Sequence, residues 1–344
     1  MNTMCLVNLN KGDRKTRNLL ELIDKLERDK ALSYKEFVKL IKGESPEIRD
    51  YACAKASAVR DAVYGRDVYI RGLLELTNYC KNDCLYCGIR KSNHACARYE
   101  LSREDVLAQA RWIHGRGIGS LVLQSGERSD PKFVAFVEGM VRDIKALSGG
   151  RLGITLAAGE QTEETYARWF AAGAHRYLLR IESSSPALYA GLHPDDGKHR
   201  WDVRDRCLAL LRRCGYQVGT GVMIGLPGQT PLDLADDLLY FRDSDVDMIG
   251  MGPYVVARGT PLGQAAIAAG GDAPEARARR LALGLNMVAA CRLLLKDVNI
   301  ASTTALQTLH PDGLMLGIRA GANVCMPSAT PEDRRASYQL YDNK

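Results

Sequence analysis

Several familiar signatures are missing from this 344-residue chain, and each absence removes a class of function. No apolar run is long enough to cross a bilayer: the best stretch, residues 281–295, is broken by Asn286 and Arg292. No basic segment followed by an apolar one leads to a small-residue cleavage site, so export is not expected and a cytoplasmic protein is. There is no dense Lys/Arg block and no interleaved aromatic stripe, and the net charge of +6 is spread over 47 basic and 41 acidic side chains. Nucleic acid and membrane are therefore not expected as partners, whereas a mildly basic surface suits an acidic electron carrier or a small anion. No Pro- or Ser-rich linker divides the chain, and apolar content of 46% leaves no disorder signature.

Ten cysteines would suggest disulfides in an exported protein; without export, reduced thiols or metal ligands are the better reading. Seven of them, Cys5, Cys53, Cys96, Cys207, Cys214, Cys291 and Cys325, are scattered and read as small inert residues. The other three stand together.

The first ~65 residues carry helix signals and no strand pattern. Ser33-x-x-Glu36 is a capping box before Phe37, Val38, Leu40 and Ile41, Gly43 is a stop, and Ser45-Pro46-Glu47 is a second start. We expect a helical extension over residues 1–66 packed on a main body over 67–344. In that body eight short apolar or β-branched runs alternate with helical stretches: residues 68–76, 120–124, 153–157, 176–181, 217–224, 248–252, 300–305 and 322–326. Helix starts stand between them at Ser102-x-x-Asp105, Asp130-Pro131, Thr162-x-x-Thr165 and Thr230-Pro231, with stops at Gly173, Gly215 and Gly321. Eight β/α units over ~260 residues predict an α/β fold of the (β/α)8 TIM-barrel type. An open doubly wound sheet is the alternative; it is disfavoured because no G-x-G-x-x-G follows the first strand and polar signals recur after many strands.

After the first predicted strand comes Cys80-Lys-Asn-Asp-Cys84-Leu-Tyr-Cys87, at the barrel end where such enzymes keep their chemistry. Closely spaced thiolates on one loop suit a compact iron–sulfur cubane, and three of them leave one of four irons open to a ligand. A zinc site completed by His94 or Cys96, or three unligated thiols, is the alternative. Other rims are polar too. Gln124-Ser125-Gly126-Glu127 follows the second strand; Arg180-Ile-Glu182 ends the fourth, where the two charges could simply pair. Gly221-Val-Met223-Ile-Gly225-Leu-Pro-Gly228 follows the fifth as a glycine turn.

The spacing C-x3-C-x-aromatic-C, with Tyr86 as the aromatic, resembles the signature of the radical S-adenosylmethionine (SAM) superfamily. The resemblance implies that Cys80, Cys84 and Cys87 hold a [4Fe–4S] cluster whose fourth iron chelates SAM, and that reductive cleavage yields a 5′-deoxyadenosyl radical. It also implies that Ser125, Gly126 and Glu127 hold the cofactor's ammonium group, Glu182 its ribose side, Arg204 its carboxylate, and Met223 to Gly225 its adenine.

Residues 77–88, 123–127, 176–182, 225–230, 301–305, 322–327 and 338–341 further resemble the HydE family of [FeFe]-hydrogenase maturases, in the biotin synthase-like branch, so that the likeness covers roughly residues 15–341. That family implies a small Fe(CO)2(CN)–cysteine complex as substrate, sister maturases HydG and HydF, and reduced ferredoxin or flavodoxin as electron donor. Arg180, Ser125, Thr303, Thr304 and Tyr341 are the groups best suited to line its pocket, although hydroxyls there could instead cap helices. Many members carry a second cysteine trio near the C-terminus; none is visible here, so a single cluster is expected. A methylornithine synthase- or biotin synthase-like enzyme acting on a carbon substrate is the alternative, and a non-catalytic metal-binding scaffold or carrier a more distant one.

Overall fold

The computed structural model describes residues 13–43 and 45–344; Cys5 lies outside the described residues. Eight parallel staves form a ring, and the first is broken in the middle. β1 consists of Tyr69–Ile70 and Gly72–Thr77, followed by β2 (Ser120–Ser125), β3 (Gly153–Ala157), β4 (Arg176–Leu178), β5 (Gln217–Thr220), β6 (Met248–Ile249), β7 (Asn299–Ser302) and β8 (Val324–Cys325). The first half of β1 pairs with β8, Tyr69 opposite Val324, and its second half pairs with β2, Gly72 opposite Leu121. All remaining neighbours pair in sequence order and in parallel. Nine strand segments thus make an eight-staved α/β barrel, and Gly72–Thr77 is buried at every position, Glu75 included, as a strand covered on both faces must be.

Caps set the helix boundaries. Ser33 and Glu36 form the reciprocal capping box, as do Ser102 with Asp105 and Thr230 with Asp233, each satisfying N–H groups that the first helical turn leaves unpaired. Three helices precede the barrel: α1 (Arg14–Asp29), α2 (Tyr34–Lys42) and α3 (Pro46–Tyr64). Leu19, Ile23 and Leu26 of α1 and Phe37 and Ile41 of α2 are buried in the same continuous core as the barrel's own helices. The long helix Pro274–Leu294 is sandwiched between them and the staves and is therefore buried nearly all round over its last three turns.

Several boundaries differ from expectation: the fourth strand ends at Leu178 rather than Ile181, and the sixth leaves the ring at Ile249 rather than Gly252. The seventh run was expected to be extended through Ala305, but the strand ends at Ser302 and Thr304 already opens a helix, Thr304–Leu309, with Thr303 at its N-cap. The fifth run splits: Met223–Ile224 leaves the ring and pairs with Gly252–Pro253 above the barrel's C-terminal end. No described helix is long and apolar enough to cross a membrane.

Arg292, which interrupts the apolar run of the last long helix, is fully buried. Its Nε donates to Gly321 O at 2.8 Å, Nη1 to Lys296 O and Val298 O at 2.8 Å each, and Nη2 to Asn323 Oδ1 at 2.9 Å. Asn323 Oδ1 also accepts from Ile300 N, so one guanidinium fastens the helix end to β7 and to the entry of β8. Replacing Arg292 with Met leaves these carbonyls without a donor. We expect a loss of roughly 3–5 kcal/mol in equilibrium urea unfolding.

Candidate active site at the C-terminal end of the barrel

The loop leaving Thr77 is held by buried polar groups before it reaches the first cysteine. Thr77 Oγ1 donates to Tyr99 O at 2.7 Å, and the fully buried Asn78 donates to Ala97 O and Ser337 O while accepting from Tyr99 N. Arg98 donates to the carbonyls of Asn78, Ile89 and Arg90 at 2.6–2.8 Å, pulling both ends of the loop together. Asp83 bridges Arg90 and Ser92, and Gly88 N donates to Leu340 O, which docks the C-terminal segment on the loop. A side chain at Gly126 would stand 2.2 Å from Tyr79 O, so only glycine lets the second rim approach this loop. Through that approach Glu127 N donates to Cys80 Sγ at 3.3 Å.

Cys80, Cys84 and Cys87 are all unpaired and half-buried. Burial raises the pKa of each, that of Cys87 to about 12, and the charges of neighbouring members of the trio add to the effect at Cys84 and Cys87. Neighbouring thiols of this kind become thiolates when they bind a metal. Among the described residues no three His, Cys, Asp or Glu side chains close on a single ion; His94 is exposed, and Cys96 Sγ faces Asn78 Nδ2 and Ser337 O. Neither His94 nor Cys96 is turned to the trio as the zinc alternative needs, while an all-thiolate set that leaves one corner open suits a cubane.

Charge gathers beside the trio. Arg204 is buried, with Nε 2.8 Å from Glu160 Oε1 and Nη2 3.5 Å from Glu127 Oε2; the Glu160 contact lacks the alignment of a hydrogen bond. Burial opposes its charge, but the two carboxylates outweigh burial and hold its pKa raised. Burial also raises the pKa of Glu160. Gly159, at φ +74°, leaves no room for a side chain beside Glu127. Two buried carboxylates share one buried guanidinium, and the half-exposed Lys81 Nζ lies 3.4 Å from Glu127, so carboxylates and cations alternate around a point where a ligand bearing both charges could exchange for these partners. Glu160 went unnoticed in the sequence; its place just beyond β3, at the catalytic end of a stave, was the available signal.

Glu182 adopts φ +66°, a strained conformation for a residue other than glycine, roughly 1–3 kcal/mol uphill. The turn is held from four sides. Glu182 N donates to Gly221 O, its carbonyl accepts from Met223 N, Trp201 Nε1 donates to Ser183 O, and the buried Asp237 accepts from both Ser184 N (2.8 Å) and Ser184 Oγ (2.6 Å). Arg180 and Glu182 do pair, Nε to Oε2 at 3.1 Å, as the simpler reading of their spacing expects. Arg204 lies in the second helix after β4, Trp201–Arg213, beyond the short helix Pro186–Gly191. Met223 packs with Leu192, Leu226, Tyr254 and Val256 in a small apolar cluster against which Tyr86 lies, forming one dry wall of the mouth. Gly225 takes φ +77°, and its N–H donates to Gln229 Oε1 at 2.6 Å.

Of the residues singled out for a substrate, Thr304 Oγ1 lies 2.7 Å from Tyr341 OH, and the Arg180 charge reaches Tyr341. Thr303 occupies the N-cap position without capping: its Oγ1, like Ser125 Oγ, is buried with no hydrogen-bond partner. Orphaned hydroxyls at the strand ends are open donors for a bound ligand.

Asp237 titrates in a range that can be tested. Burial raises its carboxyl pKa to about 7, against the opposing bonds from Ser184 and with help from Asp233 and Asp236. A raised pKa stabilises the fold fully below the unfolded value near 4, and this contribution disappears as pH climbs through 7. Wild-type stability should therefore fall between pH 4 and pH 8 by as much as ~4 kcal/mol more than that of Asp237→Asn. Parallel curves in urea unfolding at the two pH values would contradict this.

The model of the Radical SAM superfamily matches residues 74–241, from β1 through the helix Pro231–Asp243. The [FeFe] hydrogenase maturase subunit HydE of Thermotoga maritima is 39% identical over 94% of this chain and 88% of its own length. The 3-methylornithine synthase of Methanosarcina barkeri is 25% identical over 88% of this chain and 81% of its own. In fold, the crystal structure of methylornithine synthase (PylB) superposes with a TM-score of 0.77 at 24% identity, covering 94% of this chain and 91% of that one. This radical SAM enzyme belongs to the HydE family of [FeFe]-hydrogenase maturases.

Proposed function

We propose that the chain is a maturase that cleaves SAM at one [4Fe–4S] cluster held by Cys80, Cys84 and Cys87, and that its substrate is a small anionic iron complex carrying carbon monoxide, cyanide and cysteine. The observation that carries the reading is the ion cluster in which Arg204 is shared by Glu127 and Glu160 next to the three thiols. SAM is a zwitterion with an added sulfonium, and this arrangement offers a guanidinium for its carboxylate and carboxylates for its cationic groups. Glu182 is assigned to the ribose. Met223 and Gly225 are assigned to the adenine, against the dry wall that Tyr86 completes. The family to which the chain belongs implies both cofactors; when bound, they supply a 5′-deoxyadenosyl radical.

The chain's own contribution is placement and exclusion. The apolar cluster at Met223, Leu226 and Val256 keeps water from one side of the mouth, and the docked C-terminal segment covers another. Arg180, Thr303, Thr304 and Tyr341 are assigned to the substrate. Arg180 supplies positive charge to an anion, and the free hydroxyl of Thr303 supplies a donor for cyanide nitrogen or carboxylate oxygen. HydG and HydF are the expected sister maturases, and reduced ferredoxin or flavodoxin the expected electron source.

Reconstituted protein should bind about four irons per chain, the content of one cubane. The Cys84→Ser variant should lose its brown absorbance and form no 5′-deoxyadenosine. Coexpression with an apo-[FeFe]-hydrogenase and the two sister maturases should restore hydrogen evolution only with the wild-type chain. Cofactor cleavage without hydrogenase activation would favour a carbon substrate of the kind the methylornithine synthases suggest, and about eight irons would refute the single cluster.

A further inference from the structure

The buried carboxylate of Glu75 has no part in the site described so far. Gly72 lies against the outer helix Arg103–Gly115, since a Cβ there would stand 2.5 Å from Ile113 Cδ1. Side chains alternate along a strand, so Glu75, three residues later, points into the barrel. It pairs in register with Gln124, near the C-terminal end of β2. Thr330 Oγ1 donates to Glu75 Oε2 at 3.1 Å, and Lys344 Nζ donates to Oε1. The side chains of Lys344 and Glu75 are only 11% and 3% exposed. Lys344 Nζ also donates to Tyr338 O at 3.2 Å and lies 4.4 Å from the centroid of the Tyr338 ring. The ammonium is delivered by the C-terminal segment, which Leu340 O fastens to the cysteine loop and Asp342 to Arg258.

This ion pair shares its chamber with the groups assigned to the substrate. The charges of Glu75 and Arg180 both act on the Tyr341 hydroxyl, and the charge of Lys344 meets that of Cys87. Arg180 is itself matched by Glu182 at 3.1 Å. Two further buried arginines stand toward the other end of the barrel, Arg71 against Met248 and Arg176 against Ser120 and Thr155. At the mouth, Lys344 is therefore what keeps Glu75 from presenting an unmatched negative charge, and such a charge in a low-dielectric interior repels an anion. We propose that Lys344 is a specificity-determining residue, whose ammonium neutralises Glu75 so that the chamber accepts an anionic substrate. The inference rests on the anionic substrate assigned under Proposed function. A residue that only fastened the C-terminal segment would not discriminate between ligands by charge.

The probe is the synthetic iron complex of carbon monoxide, cyanide and cysteine, an anion whose infrared bands report the bound fraction. It is titrated into reconstituted protein holding SAM, at about pH 8.5, where a carboxyl raised by burial is ionised. Wild-type protein is compared with Lys344→Arg, Lys344→Gln, Glu75→Gln and the Glu75→Gln/Lys344→Gln pair. Lys344→Gln keeps a donor for Glu75 but loses the charge; it should bind the complex about tenfold more weakly, while its Kd for SAM, which has no net negative charge, stays within about twofold. Lys344→Arg and the double variant, which carries neither charge, should return to within about threefold of wild type. Glu75→Gln leaves the ammonium unmatched and should bind the complex more tightly than wild type, which decides the question even where Lys344→Gln does not fold. Unchanged binding in both single Gln variants, equal weakening toward the complex and SAM, or a double variant as weak as Lys344→Gln would overturn the proposal. If wild-type protein takes up none of the complex, the substrate reading fails. Azide, followed by its own infrared band in the same proteins, then tests the residue by itself: its affinity should follow the same order, and an affinity independent of Lys344 would overturn the role.

Discussion

Closure of the ring through one broken stave is the constraint on which the rest of the structure depends. Because the first half of β1 hydrogen-bonds to β8 and the second half to β2, the strand that begins the barrel also completes it, and its end at Thr77 is fixed from both sides. The cysteine loop starts there. Its geometry therefore inherits the register of the whole sheet: shifting β1 by one residue would turn Leu74, Glu75 and Leu76 to opposite faces and move the trio away from the second rim. The buried Asn78 and the bridging Arg98 transmit that register into the loop, and the missing side chain at Gly126 lets the second rim meet it.

Electrostatics explains why such a site persists in a folded protein. Three half-buried thiols whose burial resists ionisation, a guanidinium between two carboxylates, and a strained Glu182 are all unfavourable when taken singly. Together they form a set of groups that a bound ligand can relieve, and the strained turn and the cysteine loop are buttressed by conventional hydrogen bonds one layer out. Asp237 on Ser184 and Trp201 on Ser183 hold the strained turn, just as Asp83 on Arg90 and Ser92 holds the cysteine loop. The cost of preorganisation is thus spread over the surrounding scaffold.

Much of this was legible in the sequence for identifiable reasons. Parallel staves covered on both faces leave short apolar runs, and capping residues such as Ser102 and Thr230 punctuate what lies between, so the barrel could be counted out before any coordinates. The features that were not legible depend on tertiary context. Ser302-Thr303-Thr304 looks extended because β-branched residues favour strands, yet Thr304 begins a helix. Nothing local marks Asp237, which is fully buried against a turn more than fifty residues away in sequence. Arg292 looks like a break in an apolar helix until its four buried acceptors are seen. Glu160 is anonymous until Arg204 is folded next to it. For Asp237, for Glu160 and for the contacts of Arg292 with Gly321 and Asn323, the deciding partner is distant along the chain, where local pattern carries no information.

The central claim is that three cysteine sulfurs leave a metal corner bare for SAM to bind directly. Electron paramagnetic resonance of the reduced, reconstituted protein tests it, recorded before and after SAM is added. Direct chelation predicts that the spectrum of the reduced cluster changes in g-values and shape on addition. An identical spectrum, at SAM concentrations where equilibrium dialysis shows the cofactor bound, would contradict it.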